Sequence, residues 1–163
     1  MEQPEYLTRW PGLNVREGDQ IVPAPAEDEA VARGYPQWPD KGPLQDSVRL
    51  TLLTSRTAIV VGESVRILHV VEVTMPGRTV YVMGPKPVHG EYVDGKLVTA
   101  TPPTTGDPLV PVDYDGRTLL SPAVDYNYDI TAYSFATPGT HQVRWQPGSR
   151  LSNTLTFQVA PKP

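Results

Sequence analysis

Proline recurs through this chain at intervals too short to leave room for long helices. Nineteen of the 163 residues are proline, more than twice the usual share of about 5%. Each one removes a main-chain donor and clashes with the preceding helical turn. Between the prolines lie short runs in which apolar and polar residues alternate, bounded by Gly, Pro and Asp. Alternation with period two, punctuated this way, is the pattern of half-buried strands. The chain therefore reads as all-β.

The alternation begins after Asp46. SVRLTLLT (47–54), SVRILHVVEVT (64–74) and TVYVM (79–83) follow one another, with VGES (61–64) and MPGR (75–78) as turns. EYVDGKLVTA (91–100) contains Asp94-Gly95, which suits the positive φ angles of a two-residue hairpin turn. Asp115-Gly116 repeats the device. VDYNYDITAYSF (124–135), THQVRW (140–145) and NTLTFQV (153–159) close the chain. The phase predicts a core containing Val65, Ile67, Val71, Val143, Trp145, Leu155 and Phe157. Short strands with frequent turns and no helical period argue for a β-sandwich, with a small barrel as the competitor.

Two stretches carry a resemblance. DITAYSFATPGTHQVRWQPGSRLSNTLTFQV resembles the closing strands of bacterial immunoglobulin-like domains of the fibronectin III type, in which a Pro-Gly corner leads into a strand and then a hairpin. SRTAIVVGESVRILHVVEV is similar to the opening of such domains: a strand, a Gly-Glu turn and a long second strand. His141 stands where the family has a tyrosine, and residues 84–122 are longer and richer in proline than its pattern. The resemblance implies an immunoglobulin-like antiparallel sandwich over 47–163, of a kind used mostly for binding, spacing or assembly.

Residues 1–46 differ in character. They hold nine acids against four bases, whereas the remainder holds nine against ten. They also carry seven of the prolines and no sustained apolar period, apart from a helical turn or two at AEDEAVAR (26–33). The reading is an extended, acidic, proline-rich N-terminal arm at 1–46 that the following domain does not need in order to fold. Within it, RGYPQWPDKGP (33–43) presents large rings. Trp10, Tyr35 and Trp38 either fold back onto the chain's own sheets or anchor the arm in another protein, since such residues dominate interface energetics.

Candidate chemistry is sparse. The chain has no cysteine, which removes thiol catalysis and disulfides. No G-x-S-x-G elbow and no glycine-rich phosphate loop occur, so no catalytic residue or cofactor is assigned. His69 shares a strand face with Val65, Ile67, Val71 and Val73, which points it into the core; His89 and His141 lack partners at metal-ligand spacing. No metal is assigned. One oxygen-rich candidate stands apart: in DYNYD, Asp125, Asn127 and Asp129 project to one face of a strand about 6–7 Å apart, a ligand type suited to calcium. Tyr81, Tyr92, Tyr114, Tyr126, Tyr128 and Tyr133 offer material for a sugar platform, although tyrosine is also a common strand residue.

A net charge of −4 gives no electrostatic reason to expect nucleic acid or an anionic membrane. No apolar run approaches the ~20 residues of a membrane helix. MEQPEYLTRW lacks the basic and apolar regions of a signal peptide, so the expected location is cytoplasmic or cytoplasm-facing. The expected function is that of a non-catalytic accessory or structural subunit. It would join other protein subunits of a larger assembly, such as a virion or a membrane-attached energy-converting complex. The alternative is a carbohydrate- or small-ligand-binding module.

Overall fold

The computed structural model describes residues 3–163. In chain order it contains α1 (Glu5–Thr8), β1 (Asn14–Glu17), β2 (Gln20–Pro23), α2 (Ala26–Arg33) and a 3-10 turn at Tyr35–Gln37. There follow β3 (Leu44–Gln45), β4 (Val48–Leu53), β5 (Ala58–Val60), β6 (Ser64–Val73) and β7 (Thr79–Val82). The rest comprises β8 (Glu91–Val93), β9 (Lys96–Leu97), β10 (Arg117–Leu120), β11 (Ala123–Tyr126), β12 (Thr131–Ser134), β13 (Gly139–Trp145) and β14 (Thr154–Ala160). The chain is mostly β, as the spacing of its prolines predicts.

Two five-stranded sheets form the centre. One runs β11-β6-β4-β3, with β12 also paired to β6, and the other runs β5-β14-β13-β8-β9. All pairings in them are antiparallel except that of β5 with β14. Their facing sides share one apolar cluster that contains Leu50, Ile67, Val143, Trp145, Leu155 and Phe157. All seven core positions predicted from alternation lie in that cluster. Asp94-Gly95 makes the predicted hairpin, with φ of 50° and 82° at the two positions.

Asp115-Gly116 does not. The strand that follows it, β10, pairs with β7, more than thirty residues earlier. The Tyr114 ring occupies the turn instead, its hydroxyl donating to the carbonyls of Val82 at 2.6 Å and Arg117 at 3.0 Å. Gly116 is required by that ring, since a Cβ there would lie 2.2 Å from the Tyr114 hydroxyl oxygen.

Residues 3–46 are not an extended arm. β1 and β2 form a hairpin, and α2 places Glu27, Asp28 and Glu29 in its first turn and Arg33 in its last, which matches the helix dipole at both ends. Leu13, Ala32 and Tyr35 then pack with Leu53, Leu68, Val70, Tyr126 and Tyr128 in a second apolar cluster. That cluster covers the face of the β11-β6-β4 sheet turned away from the other sheet. β4 and β6 are accordingly buried on both faces, and a strand in that position reads as a near-continuous apolar run.

Polar contacts fasten the cover. Arg16 pairs with Asp129 at 2.6 Å, and Arg66 meets Asp28 through two nitrogens at 2.8 and 2.9 Å. The hydroxyl of Tyr6 donates to Glu72 Oε2 at 2.5 Å, and that of Tyr35 donates to Glu72 Oε1. An apolar cluster thus crosses residue 46, and the division drawn there from charge and proline content does not separate two packing units.

Candidate functional site

Strand β10 is exposed at all four residues. Ser121 N–H bonds the Arg78 carbonyl at 2.7 Å. By antiparallel alternation the main-chain groups of Arg117 and Leu119 also face β7, while those of Thr118 and Leu120 face outward. Among the described residues, no other strand pairs with that outer side. Leu119 and Leu120 are 46% and 73% exposed. They border a groove of about 330 Å³ whose other walls include Tyr6, Arg9, Trp10, Met83 and Tyr128. Trp10 meets Tyr126 edge-on at 5.5 Å and lies under the Arg33 guanidinium at 5.2 Å. The open strand edge and the aromatic groove therefore adjoin.

A second feature lies inside. Asp125, on the core-facing side of β11, is 1% exposed and sits 2.9 Å from the Lys86 ammonium. Lys86 donates to the carbonyls of Tyr81 at 3.0 Å and Gly84 at 3.3 Å. Its ammonium pairs with Asp125 Oδ2, while Asp125 Oδ1 has no donor among the described residues. Burial pushes the Asp125 carboxyl up to about 6, against the opposing pull of Lys86. A cavity of about 220 Å³ opens beside it.

The third polar cluster joins the two central sheets. His69 of β6 meets Glu91 of β8 at 2.5 Å, and both are 0% exposed. Glu91 Oε1 accepts hydrogen bonds from Thr131 at 2.5 Å and from Tyr133. Burial raises the Glu91 carboxyl, but His69 and the two hydroxyls outweigh it and hold the group below its ordinary value. His69 also rests against the Trp145 ring at 5.0 Å. Sealed from solvent on both residues, the pair is a clamp between sheets, in keeping with the core position predicted for His69.

His141 has a different role. Its Nδ1 lies 2.6 Å from Asp94 Oδ2 and its Nε2 lies 2.8 Å from the Thr137 carbonyl. The Asp94 contact raises the His141 pKa above 6.5, with a smaller opposing effect from burial. A raised folded-state value means that the stabilisation is complete below pH 6.5 and fades as pH rises through that value. Denaturant melts from pH 6 to 9 are expected to show stability falling in the wild type and a flatter profile in His141→Gln. Parallel profiles would refute the assignment.

Several sequence-derived candidates are redistributed. Tyr35 is fully buried and is a core residue of its own fold, not an anchor for another protein. Trp10 and Trp38 are half-buried against the same cluster. The suggested calcium ligands do not converge. Asp125 pairs with Lys86 and Asp129 with Arg16, while the Asn127 side chain holds both main-chain groups of Lys86 at 3.0 and 2.7 Å. The physical reason is that β11 ends at Tyr126, so Asp125 and Asp129 are not on one strand face. The tyrosines do not form one platform either. Tyr126 and Tyr128 line the second cluster, Tyr133 binds Glu91, Tyr81 packs on Tyr114, and Tyr92 lies under Arg144. Among the described residues no helix is long and apolar enough to cross a membrane.

Leu119, Leu120, Lys86 and Glu91 escape a reading based on motifs. The apolar pair at 119–120, three residues after Asp115-Gly116, is the sequence signal of an exposed edge. Comparisons with protein-family models, with curated proteins and with solved structures each give no match.

Proposed function

We propose that this protein is a non-catalytic binding module, an accessory subunit that holds other protein components of a larger assembly together. The observation that carries the reading is the free outer edge of β10, with Leu119 and Leu120 exposed beside the Trp10 groove. A solvent-facing edge strand with apolar side chains is a template for pairing. An extended segment of a partner would add its main-chain bonds to Thr118 and Leu120 and seat an apolar side chain in the groove, as strand-addition interfaces do.

The fold belongs to the same proposal: an immunoglobulin-like sandwich of the fibronectin III type. Its support is the strand order, in which β4 pairs with β6 in one sheet while β5 crosses to lie parallel to β14 in the other. The immediate succession of β13 and β14 as a pair agrees with the resemblance of the closing segment.

Co-purification from the native source tests the function. Wild-type protein is expected to travel in a stable complex. Leu120→Lys, at a 73% exposed position, is expected to leave the melt unchanged and release the protein as a free monomer. A wild type that purifies alone, or a Leu120→Lys variant that stays in the complex, would sink the reading.

A further inference from the structure

The cavity beside Asp125 is bordered by residues of β4, β6, β7 and β11 and of the loops beside them. Val71, Val73 and Val80 supply aliphatic wall, and Leu109 and Val110 of the proline-rich loop between β9 and β10 line it as well. Such a wall accepts an apolar body, and about 220 Å³ at roughly 30 Å³ per water-sized unit corresponds to a molecule of roughly six or seven heavy atoms. Asp125 is one of the polar residues in the lining. It is buried, it lines the cavity, and its Oδ1 lacks a hydrogen-bond donor. Buried acceptors are ordinarily satisfied, and one left without a donor calls for an explanation such as a missing ligand.

Charge narrows the ligand class. The base of the cavity holds one acid and one base, Asp125 and Lys86, 2.9 Å apart. Arg78, Arg150 and Asp107 also line the cavity, both arginines being within reach of Asp46, so acids and bases stay near balance around it. A cationic ligand would bring a further positive charge against Lys86 in surroundings of low polarity. An anionic one would face the Asp125 carboxylate. A neutral hydroxyl adds no charge and supplies the donor that Asp125 lacks.

From this geometry we infer that the cavity is a binding site for a small neutral molecule with a branched aliphatic or ring body and one hydroxyl, which donates to Asp125. The site is separate from the β10 edge and does not depend on what that edge binds. Leu109 belongs to a connection rather than to either sheet, and the cavity opens between that connection and the part-exposed Arg78 and Arg150.

The test uses the full chain and two probes, 3-methylbutan-1-ol and its methyl ether, followed by methyl NMR. The alcohol is expected to bind with a millimolar Kd, shifting the methyl signals of Val71, Val80 and Leu109 in a saturable way. The ether has a similar body but no donor and is expected to bind at least tenfold more weakly, as suits the loss of one hydrogen bond to a charged group. Two variants separate binding from folding. Leu109→Trp fills the cavity and is expected to abolish the shifts while retaining a cooperative melt. Asp125→Asn removes the charged acceptor and is expected to narrow the alcohol-to-ether ratio to about threefold or less. A cavity that takes only water would give no saturable shift in the wild type, and that result overturns the inference. Equal binding of alcohol and ether overturns it too, as do shifts that map outside the cavity.

Discussion

Deletion of residues 1–46 is expected to leave a chain that no longer melts as one cooperative unit. The deletion removes Leu13, Val15, Ala32 and Tyr35, all buried, and uncovers Leu53, Leu68, Val70, Tyr126 and Tyr128. It also strands Glu72, Arg66 and Asp129 without their partners from the segment. Loss of the Tyr35 ring alone, in Tyr35→Ala, is expected to cost about 3–5 kcal/mol, the range for truncating a large buried aromatic. Net stabilities of whole domains are only about 5–15 kcal/mol, so the complete deletion exceeds what the remaining sheets can absorb. Tyr35→Phe separates ring from hydroxyl. It keeps the packing and removes one hydrogen bond to a charged group, for about 1.5–3 kcal/mol. Thermal melts followed by far-ultraviolet dichroism, with dye binding to report exposed apolar surface, check all three proteins. A truncated chain melting cooperatively within a few degrees of the full length would show that the second cluster is not part of the folding unit.

Glu91→Ala is expected to be the most damaging single substitution among the polar residues, at about 3–5 kcal/mol, the cost of removing one partner from a buried pair. It would leave His69, Thr131 and Tyr133 without the acceptor they share. The pH dependence has a definite sign. The Glu91 carboxyl is held below its ordinary 4.5 in the folded protein. Its contribution is therefore complete above about pH 4.5 and is lost as pH falls through the depressed folded value. Glu91→Gln keeps the size and an acceptor but cannot titrate. Acid titrations of stability are expected to be shallower for Glu91→Gln than for the wild type below that pH. An acid limb unchanged by Glu91→Gln, or a Glu91→Ala protein as stable as the wild type, would remove the clamp from this account.

Much of the β architecture was legible before any coordinates. Strict alternation in THQVRW and NTLTFQV placed Val143, Trp145, Leu155 and Phe157 on the face they occupy, because a strand covered on one side must alternate. The same logic misjudged the N-terminal residues. LTLL in β4 and LHVVEV in β6 do not alternate cleanly, and they are buried on both faces. That irregularity was the available sign of a covering layer, and the covering layer is residues 3–46. High proline and acid content concealed it, since short elements such as α2 and the β1–β2 hairpin bury few side chains each and leave no long period to detect. The candidate site was less visible. Thr118 and Leu120 are marked by what their main chain lacks, and Asp125 by an absent donor. Neither lack can be read from residue type.

The sequence by itself determined that helices would be short, that paired strands would dominate, and which face of each closing strand would be apolar. These follow from local rules: the missing N–H of proline, the positive φ at Asp94-Gly95, and the two-residue period of a pleated strand. Tertiary structure alone decided that Tyr35 would be core rather than exposed, that Asp125 would meet Lys86 and Asp129 would meet Arg16, and that His69 would find Glu91 across the sheets. Those pairings join residues 22 to 113 positions apart. Charge and ring size along the chain specify which residues need a partner. Only the closing of the sheets on one another, and of the N-terminal layer on them, brings a particular partner within hydrogen-bond reach.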